Sequence, residues 1–230
     1  SRAIVLLDHE EYMTKNGRKA LDTAMASGKN LVIFGGNSIY RQGTYNDKTR
    51  VYLTRKGNNP LHAKDKAKGI SQKFVDLGWP QEKTMAASFG GVVKSPGAFP
   101  LVVTDSSFWA WKSQNIKKGT KFSNLVGYEV DTPAGDLRRL QLPTKSTVPC
   151  EPPGKPTPYS VIYRVDAKSK AGILNVATVN WSFGLDTQFP YFPTGYPIPN
   201  QKGKNFVTQA TLKILTEASR GPLGKRFPIK

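Results

Sequence analysis

The sequence predicts an α/β fold built around parallel strands, and two strand-to-turn junctions separated by a helix predict it. The apolar run Leu31-Val32-Ile33-Phe34 enters the tight turn Gly35-Gly36-Asn37 and continues into Ser38-Ile39-Tyr40-Arg41. Upstream, Ala3-Ile4-Val5-Leu6-Leu7 empties into Asp8-His9-Glu10-Glu11-Tyr12. In open α/β sheets ligands bind at such strand ends, and here each would deliver a tyrosine to the same edge.

Between the two junctions, Ala20, Leu21, Ala24 and Met25 recur at helical spacing over residues 13–27, and Gly28 stands where a C-terminal cap belongs. A helix linking strands so closely implies parallel, right-handed pairing. Val51-Tyr52-Leu53 reads as a short strand, and residues 63–77 as a lysine-rich surface helix ending at Gly78. Residues 79–121 alternate glycine, proline and aromatics without a period, so about 45–120 is expected to be an insertion packed over a single domain spanning 1–230. Residues 124–131 resume a strand ending in acids, and residues 140–143 lead to a proline-rich linker. Residues 159–165 and 172–180 read as strands joined by a polar turn, the second feeding a loop at Trp181-Ser182-Phe183-Gly184-Leu185-Asp186. A last helix is expected over 206–218, where Val207, Ala210, Ile214 and Ala218 share a face.

At 230 residues a single domain buries roughly 70–75% of its unfolded surface, enough for a core without crosslinks. The lone cysteine, Cys150, excludes an internal disulfide and a thiolate metal cluster. No run approaches the roughly 18 apolar residues of a membrane span. The chain starts at Ser1 and enters a strand within two residues, so an upstream segment is expected to be missing, and that segment or another chain is a candidate partner. The formal charge of +18 favours anionic partners, but the cations fall in small separate groups, among them Lys117, Lys118 and Lys121, and Lys202 and Lys204. Charge alone recommends nucleic acid, and no recognition module accompanies it.

Chemistry narrows the strand-end turn. His9-Glu10-Glu11-Tyr12-Met13 begins like a zinc-peptidase helix, but Met13 stands where the second histidine must be. Asn37 occupies the nucleophile's place in what resembles a nucleophile elbow, and an amide cannot attack a carbonyl. The turn is therefore expected to position a ligand, with backbone N–H groups and the Asn37 side chain as hydrogen-bond donors. Tyr12, Tyr40 and Glu129 remain as oxygen donors. Spacing alone leaves the tyrosines either packed at a sheet edge with bonded hydroxyls or available to a cation hard enough to displace a phenol proton.

Four segments carry a resemblance: Asp8-His9-Glu10-Glu11-Tyr12, Phe34-Gly35-Gly36-Asn37-Ser38-Ile39-Tyr40-Arg41, Val126-Gly127-Tyr128-Glu129-Val130-Asp131 and Val179-Asn180-Trp181-Ser182-Phe183-Gly184-Leu185. In this order they resemble the C-terminal region of the N,N-dimethylformamidase large-subunit-like family. The resemblance implies a class I glutamine amidotransferase-like fold, a flavodoxin-like three-layer sandwich with a mostly parallel central sheet. It also implies a mononuclear ferric site, Fe(III), held by Tyr12, Tyr40 and Glu129, and metal-assisted hydrolysis of a small amide. In the amidase a histidine precedes the glutamate by two residues, where this chain has Gly127. His9, Glu11 and Asp186 are candidates to move protons in its place or to cap strand ends, and Arg41, Asn180 and Trp181 are candidates to bind substrate. Many relatives are secreted without an assigned reaction, which implies a secreted protein, with a cytoplasmic one as the alternative. The competing function is a non-catalytic module of the same fold that recognises anionic glycans, wall polymers or a protein through its basic surface; the cluster Phe108-Trp109-Ala110-Trp111 is read as core, and its exposure beside a lysine-rich face would instead support this module.

Overall fold

The computed structural model describes residues 1–46, 48–49, 51–53, 72–94, 97–151, 156–185 and 196–229. Strands β1 (Ala3–Asp8) and β3 (Asn30–Gly35) pair in parallel, and α1 (Lys15–Ala26) connects them. Thr14 Oγ1 accepts from Gly17 N at 3.0 Å to start the helix. Gly28, at φ 91°, ends it with its N–H on Met25 O at 2.9 Å, as its position predicts. The buried face of α1 carries Leu21 and Met25, and also Arg18, which periodicity passes over. The Arg18 guanidinium donates to Trp79 O, Pro80 O and Thr84 Oγ1 at 2.7, 2.8 and 3.0 Å and lies over the Phe74 and Trp79 rings. Burial lowers its pKa to about 10, against the pull of Asp22 and Glu82.

Every residue of β3 is buried, as expected for a strand with parallel neighbours on both sides. Its second neighbour is β14 (Gly172–Asn175), which pairs antiparallel with β13 (Ile162–Val165), and β13 pairs antiparallel with β10 (Leu140–Gln141). A second sheet runs in the order β8 (Lys121–Gly127), β7 (Ala98–Val103), β11 (Thr144–Glu151), β6 (Ala87–Val93), β9 (Glu129–Pro133), and β12 (Pro156–Tyr159) pairs with β11. A small third sheet joins β2 (Tyr12–Thr14), β4 (Arg41–Asn46) and β5 (Val51–Leu53).

The mostly parallel, flavodoxin-like sandwich is therefore overturned. Parallel pairing is confined to β1 with β3, β3 with β14 and β2 with β4; every other ladder among the described residues is antiparallel. Connection length explains this, because a parallel return needs a crossover of about a dozen residues or more. Between β13 and β14 the chain has only a tight turn, in which Asp166 Oδ1 accepts from Lys168 N at 3.1 Å and Ser169 N at 2.7 Å. Likewise only four residues separate β11 from its antiparallel partner β12. Within the stretch read as aperiodic, β6 and β7 are strands, each with one register irregularity, between Phe89 and Gly91 and between Phe99 and Leu101. Cys150 is buried in β11 opposite Val93.

Three shorter elements also differ from the reading. The strand expected over 159–165 is two, β12 and β13. The one expected over 172–180 stops at Asn175, and the loop after it is a helix, α3 (Asn180–Leu185), after α2 (Gln81–Met85) and before α4 (Gln201–Ser219) in the chain. The surface helix expected over 63–77 lies outside the described residues as far as 71, and its end, Phe74–Leu77, is a 3-10 turn. Asp186 and the Pro152-Pro153 pair also lie outside the described residues.

Phe108, Trp109 and Trp111 are buried, so they form core and not the exposed platform that a glycan-binding module would use there. Phe206 of α4 stacks on Phe122 of β8 and packs against Trp181, which stacks on Phe34 of β3, so the helix is tied to both sheets. No helix among the described residues is long and apolar enough to cross a membrane.

The Gly35-Gly36 pair allows the backbones around the strand ends to close. A Cβ at Gly35 would lie 1.6 Å from Asp8 O, and one at Gly36 would lie 2.3 Å from Glu129 O. Both obstacles are main chain and cannot rotate away. Gly35→Ala is expected to lower the unfolding free energy in urea by at least ~3 kcal/mol, the upper range for overpacking. Gly119→Ala, whose Cβ meets nothing within 4 Å, loses about 1 kcal/mol from its positive φ alone. Equal losses at the two positions would contradict the close approach.

Candidate functional site

The chain leaves β1 at Asp8 and β3 at Gly35, and in each case a non-glycine residue takes left-handed backbone, Asp8 at φ 60° and Asn37 at φ 52°. These turns bring the two exits together with the start of β9. Ser182 Oγ of α3 donates to Asp8 Oδ1 at 2.9 Å. Ile39 N and Tyr40 N donate to Glu10 O and Glu11 O at 2.8 and 2.9 Å. β9 is held against the exit of β14 by Asp131 N on Ala177 O at 2.9 Å and Val179 N on Glu129 O at 3.1 Å.

The side chains converge on Glu129. His9 Nε2 lies 2.6 Å from Glu129 Oε2 and 3.9 Å from Glu11 Oε2. Asn37 Nδ2 donates to the same Glu129 oxygen at 2.8 Å and sits 3.2 Å from His9 Nε2. Because an amide N–H₂ can only donate, Glu129 Oε2 serves as the shared acceptor of the His9 ring N–H and the amide. The Glu129 carboxylate raises the His9 pKa above its usual value against the lowering effect of burial, and Glu11 and Asp8 add to it.

Beneath this group, Asp131 is fully buried. Its carboxyl accepts from Asn37 N at 2.9 Å and from Asn175 Nδ2 at 3.3 Å, and Asn175 Oδ1 accepts from Ala177 N at 2.8 Å. Burial pushes the Asp131 pKa up to about 7, although both hydrogen bonds favour the ionised form. Asn37 therefore does not offer its donors to a ligand as expected: its backbone N–H goes to Asp131 and its amide to Glu129. What it leaves is Oδ1, a buried acceptor with no hydrogen-bond partner among the described residues.

Tyr12 opens β2 and pairs in register with Arg41, which follows Tyr40. Burial pushes the Tyr12 phenol up to about 12, and the Glu11 carboxylate adds to this while Arg41 opposes it. Arg41 Nε is 3.2 Å from Glu11 Oε1. The Tyr40 ring packs on Phe89 at 4.9 Å between centroids, with the Arg41 guanidinium 5.2 Å away and Lys73 Nζ 5.3 Å away. His9, Glu11, Tyr12, Asn37, Tyr40, Arg41 and Glu129 thus belong to one edge.

Asn180 and Trp181, expected to bind substrate, are buried with internal partners. Asn180 Nδ2 donates to Asn124 O at 3.0 Å and its Oδ1 accepts from Tyr196 at 3.1 Å, while Trp181 Nε1 donates to Thr211 Oγ1 at 2.9 Å. Sequence reasoning missed Asn175 and the anchoring role of Asp131. A polar residue interrupting the apolar run Ile173-Leu174-Asn175-Val176 was the available signal. A Cβ at Gly127 would lie 2.5 Å from Gly97 O, 2.6 Å from Tyr196 Oη and 2.7 Å from Asn180 Nδ2, so that position has no room for a histidine. No group of three or more His, Cys, Asp and Glu side chains among the described residues is arranged to hold a metal ion.

Fold and site define a mixed α/β protein whose strand-end edge joins an imidazole, two carboxylates and a phenol around a glycine turn. The chain belongs to the N,N-dimethylformamidase beta subunit-like, C-terminal family, which matches residues 1–197. The family is described by the beta subunit, where the motifs suggested a large subunit. Among curated proteins, none matches the chain.

The two raised pKa values set a pH dependence. The contribution from His9 is fully present below its unfolded pKa of about 6.5 and is lost as pH rises through the higher folded value. Asp131 binds its proton more tightly in the folded state than in the unfolded one, so ionising it between about pH 4 and 7 also removes stability. In chelator-treated protein, urea unfolding is expected to give a free energy roughly 2 kcal/mol lower at pH 8 than at pH 5.5. Stability that rises over this interval would contradict the assignment.

Proposed function

We propose that this chain hydrolyses the C–N bond of a small amide, as the name of its family suggests. The observation that carries the reading is the convergence of His9, Glu11, Glu129 and Tyr12 on one strand-end edge. Amide hydrolysis needs a group that takes a proton from the attacking water and returns one to the departing amine. His9 is that group: it stands between Glu129 and Glu11, its proton affinity is raised by them, and its side chain is about one-third exposed. Asn37 holds Glu129 in place. Arg41, braced by Glu11, sets the rim of the site.

The donor set also suits a hard trivalent cation. Tyr12 lies in the negative field of Glu11 and Glu129, which opposes phenolate formation until a cation enters. Tyr12, Tyr40 and Glu129 would hold ferric iron, which would supply Lewis acidity toward the amide carbonyl. The family's beta-subunit description further supports assembly with another chain.

Turnover of N,N-dimethylformamide by the iron-loaded protein tests the reading. His9→Gln is expected to lower kcat at least 100-fold with KM little changed and to abolish the acid limb of the pH profile. Glu129→Gln is expected to lose activity to a similar or greater degree. Unaltered kcat in either variant, with the fold intact by circular dichroism, would contradict it.

A further inference from the structure

Away from the strand-end edge lies a cavity of about 580 Å³, within the range of small-molecule sites. One wall comes from residues 113–120, before β8, and the other from the first turns of α4. Its floor includes Phe122 and Phe206, which stack at 4.2 Å and 9°. Lys117 stands on one wall and Lys202 on the other, with Lys202 Nζ 5.8 Å from the Phe122 ring. These lysines come from two groups about 85 residues apart in the sequence, and the fold brings them to one cavity whose lining contains no acid. Gln114, Asn205 and Gln209 add carboxamides. The Gln114 Nε2 atom is buried yet has no hydrogen-bond partner among the described residues, an unfavourable state that a ligand acceptor would relieve.

We infer that this cavity binds an acidic sugar, a uronic acid residue or the end of an acidic glycan. Each part of the lining has its counterpart in that ligand. Carboxamides both donate and accept, matching sugar hydroxyls. Two lysines on facing walls suit a carboxylate, and the apolar floor suits the C–H face of a pyranose ring. A bare inorganic anion would leave the floor and the carboxamides unused, and a neutral apolar molecule would leave the lysines unused. The site uses none of the strand-end residues, so it stands or falls independently of the hydrolase reading.

Calorimetric titration of the full chain with galacturonic acid and its short oligomers tests this, with galactose, benzoate and phosphate as comparison probes. Saturable binding of the uronate is expected, at least tenfold stronger than galactose, benzoate or phosphate. Lys202→Glu and Gln114→Leu should each weaken it tenfold or more. Both positions border the cavity and not the core, and unchanged thermal melting would show that the variants fold. Amide turnover should be the same in these variants as in the parent. Absence of saturable uronate binding, binding that survives both substitutions, or a preference for benzoate or phosphate would each overturn the inference.

Discussion

The site depends on one buried carboxyl. Asp131 accepts the Asn37 backbone N–H from the glycine turn and the Asn175 amide from β14, while its own backbone ties β9 to Ala177. Three chain segments far apart in sequence thereby share one anchor, and the side chain of Asn37 is delivered to Glu129 as a consequence. A buried carboxyl with only neutral donors is costly to ionise, as its raised pKa shows. A well-packed apolar residue at this position would leave the Asn37 N–H and the Asn175 amide unsatisfied.

Backbone strain is concentrated around the same anchor. Asp8, Asn37, Ile39, Tyr128 and Ala177 all take left-handed φ values between 52° and 61°, although none is glycine. Such conformations persist only where the surroundings over-determine them, and they cluster at functional sites. Here each sits where a strand ends near His9, Glu129 or Asp131. The two glycines with the tightest surroundings in this region, Gly35 and Gly36, keep φ in the ordinary range and serve close approach. On this edge His9 is the ion-pair partner of Glu129, and Gly127 leaves no space for a larger side chain beside it.

The β1–α1–β3 unit was legible because its signals are local: two uninterrupted apolar runs, helical spacing between them and a terminating glycine. The direction of the remaining strands was not, since short apolar runs look alike in parallel and antiparallel ladders and only the connections decide. Tyr128 and Ala177 show a second gap: left-handed backbone at a tyrosine or an alanine leaves no mark on composition. Of the edge itself, His9, Glu11, Tyr12, Asn37, Tyr40, Arg41 and Glu129 could be read as strand-end residues. The destination of the Asn37 amide could not, because it depends on β9 arriving from the other sheet. Asn180 and Trp181 were misplaced for a related reason, as a helical turn stands where a loop was expected and carries them into the core.

Residues from three strand ends meet at one edge, and the proposed function requires that edge to bind a cation and handle protons. Titration of the full chain with ferric iron, followed by visible absorption, addresses it most directly. One equivalent is expected to produce a tyrosinate-to-iron charge-transfer band that is weakened in Tyr12→Phe and in Tyr40→Phe and lost when both are replaced. A band of undiminished intensity in the double variant, or active protein that binds no iron, would contradict the account.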